Sequence, residues 1–494
     1  MAGELLLALD LGTTHARALL VDAEGRVRGR ALRRLAVRFP APGRVEQDPE
    51  EFAAAAEALL PAALSEAGAV ASDVAAIGIA TQRATALAWD AETAAPLAPA
   101  LSWQDQRPRE IADRLRARGA PFSSQAAASR FAWWLEREPA VRRAAQQGRL
   151  RLGTPDAWLE QRLGGEALTD PGQAMCTGLY DPERGDWSET LVQCFGLQRV
   201  WLPRIVPTSA LRSETRAALL GAPVALGARA GDQQAAAFAQ GVHEPGKAKL
   251  TLGTAAMLDV HTAGAPAEPP PGAIPMPLWR LQDGEEAWCL EAHAATAGAA
   301  VEWLVALGVL ERAQDLDAVA ESVPDAGGVV VIPAFQGLGT PFADEAARGF
   351  VGGLTRGSTR AHLARGLVEG LAQRCTDLCD ALPLKAGPLP VDGGLSRSDL
   401  LLQSLADLSG RSIERAAESE TTALGAAWLA GLAAGYLERP QACQALRAAP
   451  RRFEPRLDAD RRRAARERWG RLLERARSRP VDANPASIGP LESP

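Results

Sequence analysis

The stretch Asp10-Leu11-Gly12-Thr13-Thr14 follows an apolar run and offers, in order, a carboxylate, a glycine and two hydroxyls. A glycine at a strand end lets backbone amides approach a phosphate closely, and the hydroxyls can donate to its oxygens. A carboxylate such as that of Asp10 can hold magnesium there, usually through water. The same residues also suit a plain hairpin turn, so alone they leave both readings open. Two further polar clusters end short apolar runs: Thr81-Gln82-Arg83 after AAIGIA, and Ser102-Trp103-Gln104-Asp105 after Leu101. The carboxyl ends of strands in an α/β sheet are where such folds present side chains to a ligand. An arginine and an amide can orient hydroxyls, and an indole can cover a carbon skeleton. Trp103 taken alone reads first as core packing; Gln104-Asp105 following it at a strand end point it to the site instead.

These clusters need strands behind them. LLLALDLGTTHARALLVDAEGRVRGRALRRL predicts a strand, a Gly-Thr-Thr turn, a second strand, an Asp-Ala-Glu-Gly turn and a third strand, which together open a sheet as a meander. Asp48-Pro49-Glu50-Glu51 supplies an N-cap, a proline at the first helical position and acidic residues in the first turn, so a helix runs to about Glu66. Helices are also expected at 130–136, at 156–163 after Thr154-Pro155, at 398–408 and at 423–434. The last is rich in small residues, so something must pack very close to it. AKLTLGTAAMLDVHT, from Ala248, repeats the strand, Leu-Gly-Thr turn, strand outline of the first hairpin. Two related domains, each offering a turn of backbone amides to a shared ligand, would produce this repeat, as would chance recurrence of a short turn. Buried strands are expected at 327–333 and 389–394, and the proline-rich stretch 264–277 reads as a surface loop.

At 494 residues the chain exceeds what one core usually organises, so two large domains with a site between them are expected. A net charge of −6 with basic residues spread along the chain gives nucleic acid no footprint. The six cysteines form no CxxC pair and have no His at metal-ligand spacing, which points to reduced, structural thiols in a cytoplasmic protein. Cys375 and Cys379 share a helix face at i, i+4 and read as buried packing residues. The run Leu5 to Leu9 stops at Asp10 with no basic residues before it, so it reads as a buried strand rather than a signal or membrane segment. Residues 458–477 are expected as an exposed charged helix, and the tail from Pro480 as disordered.

In order, the chain carries TQRATALAWD at 81, LSWQDQR at 101, GDQQAAAFAQ at 231, LTLGT at 250, AFQGLGTPF at 334, ARGFVGGLTRG at 347, VDGGLSRSD at 391 and TALGAAWLAG at 422. Over roughly residues 5 to 440 this series closely resembles the FGGY carbohydrate kinases and, within them, the glycerol kinase branch. The resemblance implies an α/β protein of two ribonuclease H-like, actin-like domains closing around ATP, magnesium and a small polyol or ketose. It divides the chain into an N-terminal domain at 1–243, a nucleotide-binding domain at 244–440, and a C-terminal helix and tail at 441–494. It makes Asp232 the catalytic base; a helix-capping role for this residue is compatible with that. Gly12, Thr13 and Thr14 match one phosphate hairpin and Gly253-Thr254 the other, with Asp10 at the metal. Gly298, Gly394, Gly425 and Ala426 match small residues against which the nucleotide lies, although plain helix packing would look the same. Arg83, Trp103, Asp232 and Gln233 match the alcohol-binding residues, with Gln82 beside them. Homodimers or homotetramers are common in the family.

Departures from the branch are local. Ala84 stands where glycerol kinases carry Glu, Gln125 where they place a Tyr, Arg130 for a Lys, and Ala343 for a Trp. Losing a carboxylate and an aromatic wall widens the acceptor pocket, which puts glycerol in question and gives room to a four- or five-carbon polyol or ketose. The alternatives are a pentulose kinase of the xylulokinase or ribulokinase type and a catalytically weak sensor. The TQR turn argues against the first, since xylulose kinases usually show a Met-His pair there. Retained Asp10 and Asp232 argue against the second, because binding alone needs neither. A chaperone or filament ATPase of the same superfold would lack the TQR and WQD segments.

Overall fold

The computed structural model describes residues 3–117 and 126–478. Gln125 and the tail from Pro480 lie outside these described residues.

The opening meander forms as expected, with β1 at Leu5–Leu11, β2 at His15–Val21 and β3 at Val27–Arg34. Helix α1, Pro49–Ala67, starts where Asp48 accepts the amide of Glu50 and ends at Gly68 in the left-handed region. Then come β4 (Val74–Thr81), α2 (Ala127–Arg137), α3 (Pro155–Gly164), β5 (Ser209–Glu214), β6 (Ala225–Gly231) and α4 (Asp232–Ala239). The first sheet has the order β5-β6-β4-β1-β2-β3, with β1, β4 and β6 parallel.

The second half repeats this plan. It supplies β7 (Ala248–Leu252), β8 (Ala256–Thr262), β9 (Ile274–Arg280), β10 (Glu286–Ala294), α5 (Gly298–Ala306) and α6 (Arg360–Ala381). These are followed by β11 (Leu389–Asp392), α7 (Asp399–Ser409), β12 (Ile413–Arg415), α8 (Thr421–Ala433), β13 (Arg451–Phe453) and α9 (Ala459–Leu473). Its sheet runs β9-β10-β8-β7-β11-β12-β13. In both sheets an antiparallel trio, β3-β2-β1 and β10-β8-β7, is followed by two parallel strands, with β9 added at the edge of the second, so the short Leu-Gly-Thr echo marks a duplicated topology.

One face of the first sheet is covered by α1 and α3, through Phe52, Leu59, Trp158 and Leu159. The other is covered by α4 and α8, through Phe238, Ala423, Ala427 and Trp428. Helix α8 belongs to the 244–440 stretch, yet it packs on the first sheet. A Cβ on Gly78 of β4 would lie 1.9 Å from the Ala426 carbonyl oxygen, so the glycine is what lets the helix lie there. The second sheet sends Leu250, Leu252, Leu258 and Val260 into a core with α6 and α7. Strand alternation turns Lys249, Thr251 and Asp259 to the opposite face, toward the first lobe.

Two expectations change. The proline-rich stretch is a loop only as far as Ala273, and Ile274–Arg280 then forms the edge strand β9. Helix α9 is not exposed all round: Trp469 and Leu473 are buried, and Arg466 pairs with Asp377 and Asp380 of α6. Cys375 and Cys379 are buried free thiols on α6, as expected. Among the described residues no helix is long and apolar enough to cross a membrane.

Candidate active site

Sheet register explains why motifs far apart in sequence converge. Leu11 pairs with Thr81, and Thr81 with Gly231, so three parallel strands end side by side. The next residues along each chain, Gly12, Gln82 and Asp232, therefore line one edge. Gly12 closes the β1–β2 hairpin, its amide donating to the His15 carbonyl at 3.0 Å. Thr13 is fixed from three sides: its hydroxyl donates to Gln82 Oε1 at 3.2 Å, the same hydroxyl accepts from Trp103 Nε1 at 3.1 Å, and its carbonyl accepts from Gln47. Thr14 is exposed beside it. Gln82 is 1% exposed and its amide is consumed by Thr13, Thr85 and Gln47. Its hydrogen bonds thus tie it to the Gly12–Thr14 hairpin and to its own turn rather than turning it toward the cleft.

Asp232 opens α4, and its side chain is 31% exposed, so the carboxylate faces the cleft and not a packed interior. Oδ1 accepts from the Gln233 amide at 2.8 Å and lies 3.6 Å from Arg83 Nε. Desolvation raises its pKa above the ordinary carboxylate value, against the opposing pull of Arg83. Arg83 gives its Nη2 to Glu291 of β10 at 2.7 Å. Burial works against its charge and is the largest single influence, but Glu291 together with Asp232, Asp259 and Cys176 outweighs it and holds the guanidinium protonated. Beside it stands Ala84, in the left-handed region at φ 58°, with only a methyl where the turn faces the pocket. Trp103 is 37% exposed, and its indole hydrogen-bonds the Thr13 hydroxyl. Its loop is held by Arg130, fully buried, whose guanidinium donates to the carbonyls of Ser102, Ala84 and Trp103.

Asp10 is 5% exposed at the end of β1, opposite Arg17 in register and 3.4 Å from its Nη1. Burial drives its pKa up to about 7, offset in part by Arg17 and reinforced by the charge of Asp232. In the second lobe the Gly253-Thr254 turn closes β7 onto β8. Gly298 donates to the Gly253 carbonyl at 2.9 Å, and a Cβ on Gly298 would sit 2.7 Å from that oxygen, so the start of α5 is seated on the turn. Gly394 is exposed with open space around it, at the end of the neighbouring β11. Gly425 and Ala426 do not join this group. A Cβ on Gly425 would lie 1.8 Å from the Ala235 carbonyl oxygen, and both residues are buried in the contact of α8 with α4 and β4. Their small size serves helix packing, which leaves no room there for a nucleotide.

Sequence reasoning missed four residues. Arg17 faces Asp10 and also pairs with Glu420 at 2.6 Å. Lys249, Asp259 and Glu291 stand in one cross-strand row on β7, β8 and β10, with Lys249 registered to Asp259 and Asp259 to Glu291. Their signal was available: each is a charge inside an apolar strand, in AKLTL, MLDVH and CLEAH.

Duplicated lobes of this strand order, each with a Gly-Thr turn after its first strand and a carboxylate between them, define the ribonuclease H-like, actin-like superfold to which two-domain kinases belong. Family models for the FGGY carbohydrate kinases match residues 5–239 as the N-terminal domain and 248–434 as the C-terminal domain. The chain is 44% identical to a glycerol kinase of Aromatoleum aromaticum, over 96% of this chain and 98% of that protein. It is 40% identical to a glycerol kinase of Thermus brockianus, over 96% of this chain and 98% of that protein. The crystal structure of Plasmodium falciparum glycerol kinase with ADP superposes with a TM-score of 0.87 at 25% identity, covering 96% of this chain and 99% of that one. The chain belongs to the FGGY family of carbohydrate kinases.

Proposed function

We propose that this kinase transfers the γ-phosphoryl group of ATP to a hydroxyl of glycerol or of a polyol one or two carbons longer. The observation that carries the reading is Asp232: a carboxylate at the start of α4, open to the cleft and 3.6 Å from a guanidinium that can orient a hydroxyl. Asp232 takes the proton of the attacking hydroxyl while Arg83 and Gln233 hold its neighbours and Trp103 covers the carbon chain. Gly12 lets the turn come close to the triphosphate, which the backbone amides of Thr13 and Thr14 and the Thr14 hydroxyl meet from one lobe and Gly253-Thr254 from the other. Gly394 and the Gly298 end of α5 border the nucleotide. Phosphoryl transfer is mostly positioning and charge stabilisation, so holding both ends from two lobes is what the chemistry requires.

Magnesium fits the donor set. Asp10 is a buried hard-oxygen carboxylate whose ionised form its surroundings disfavour, so a divalent cation would stabilise it. That ion would supply charge neutralisation at the phosphates. Ala84 leaves the pocket without a carboxylate on that side, which supports acceptors longer than glycerol. The glycerol kinases among the similar proteins support glycerol itself. Six free cysteines support a reducing, cytoplasmic setting.

The test is ADP release over a panel of glycerol, erythritol, ribitol, xylulose and ribulose, with Asp232→Asn alongside. Parent turnover on a polyol, lowered by at least about a hundredfold in the variant at unchanged nucleotide affinity, is expected. The acid limb of kcat/KM should fall above the ordinary carboxylate range, because activity needs the ionised form of a group whose pKa is raised. Near-parent turnover by Asp232→Asn would place the base elsewhere.

A further inference from the structure

Lys249 is 0% exposed and reaches across the lobe boundary. From β7 its Nζ donates to Gln233 Oε1 of α4 at 2.5 Å and to Thr251 Oγ1 at 2.6 Å, and lies 3.3 Å from Asp259 Oδ2. The chain continues from Thr251 Oγ1 to Asp392 Oδ1 at 2.6 Å. The other oxygen of Asp392 accepts from Gln240 Nε2 at 2.5 Å and from Thr421 Oγ1 at 2.8 Å. Gln233 is the second residue of α4, and Gln240 is its C-cap. The helix that carries Asp232 is therefore bolted at both ends to β7 and β11, and β7 runs directly into the Gly253-Thr254 turn.

An ammonium can only donate, so the atom of Gln233 facing Lys249 must be its carbonyl oxygen. The two Nε2 hydrogens are thereby left for other partners. We infer that Lys249 is a positioning residue: it fixes the amide of Gln233 so that donors meet the acceptor's oxygens, and it sets the base-bearing helix in register with the phosphate-gripping strand. Asp259 compensates the buried ammonium, and its register pairing with Glu291 ties the same row to Arg83. The inference rests on the polyol kinase reading for its substrate, but not for its geometry.

Removing Lys249 alone would strand the carboxylate of Asp259, so the test uses the double variant Lys249→Met/Asp259→Leu, in which both charges are replaced by apolar groups of similar size. Its kcat/KM for the best polyol should fall at least about tenfold, while the KM for ATP stays within about twofold of the parent. Adding Gln233→Ala should lose nothing beyond what Gln233→Ala loses alone, because Lys249 acts through that amide. Hydrogen exchange by mass spectrometry, on the substrate-free protein, should quicken over 231–236 and nowhere else in the first lobe. Losses that multiply independently, or a parent-like kcat/KM, would overturn the inference. A parent that turns over no polyol defeats the kinase reading instead; exchange over 231–236 then decides alone, and unaltered exchange rejects the role of Lys249.

Discussion

Gly425→Ala adds a single methyl group and should damage both stability and catalysis. The Cβ would lie 1.8 Å from the Ala235 carbonyl oxygen, and on the other side of α8 a Cβ on Gly78 would lie 1.9 Å from the Ala426 carbonyl. The helix is thus wedged between α4 and β4 without slack. Carbon and oxygen need roughly 3.4 Å, so α4 and α8 must separate by roughly 1.5 Å at this point. Overpacking of this kind costs about 1–3 kcal/mol. Asp232 lies one turn before Ala235 on α4, and a displacement of about 1 Å at a reacting group costs on the order of a hundredfold in rate. Thermal melting and kcat, measured together, should both drop. Gly470→Ala is the control: it lies in α9 with open space around it, so the change should be neutral or gain about 0.5–1 kcal/mol of helix propensity. A Gly425→Ala protein melting within about 1 °C of the parent, with kcat within about twofold, would refute the wedge.

Asp10 and Arg229 give two further predictions. Burial raises Asp10 from 3.8 to about 7, so its folded-state pKa lies above its unfolded one: the stability it contributes is complete below about pH 4 and is lost as pH rises through about 7. Nucleotide-free Asp10→Asn should accordingly melt higher than the parent at pH 8, by up to about 4 kcal/mol, with the difference closing as pH falls toward 4, while magnesium-dependent turnover is lost; a pH-independent melting difference would count against desolvation. Arg229, on the strand leading to Asp232, is paired with Glu160 at 2.7 Å with both side chains 0% exposed. Arg229→Met should cost about 3–5 kcal/mol in urea unfolding by stranding that carboxylate, and adding Glu160→Leu should restore part of it, the remainder being the carbonyls of Pro207 and Ala210 that Arg229 also serves; a loss below about 1 kcal/mol would contradict the burial.

What the sequence made legible was local. The caps of α1, the two Gly-Thr hairpin turns and the close packing demanded by the small residues of α8 each declare themselves within a few positions, and the structure forms them. What it hid depends on partners far away. Gln82 looks like a ligand contact because it is polar at a strand end, but Thr13, Gln47 and Thr85 consume it. Gly425 and Ala426 fit a nucleotide shelf and a helix contact equally well, and only the nearness of Ala235 decides. The prolines at 275 and 277 forbid a central strand, yet residues two apart turn the missing amide to the same side, which an edge strand such as β9 tolerates. In α9 the arginines conceal Trp469, whose indole donates to Asp377 some ninety residues earlier in the chain.

The charges set into the second sheet show why the two lobes form one unit. Lys249, Asp259 and Glu291 occupy consecutive register positions across three strands, all buried, with one positive and two negative charges. Once the lobes meet and bury that face, the carboxylate left without a partner in the row would be desolvated without compensation. The missing cation is Arg83, which comes from the end of β4 in the other lobe. The same contact places Arg83 3.6 Å from Asp232, so the charge that makes the second sheet tolerable also stands beside the proposed base. That arrangement holds only while Arg83, just beyond the end of β4, keeps its contact with Glu291 of β10, so the proposed acceptor site is anchored where the two lobes meet.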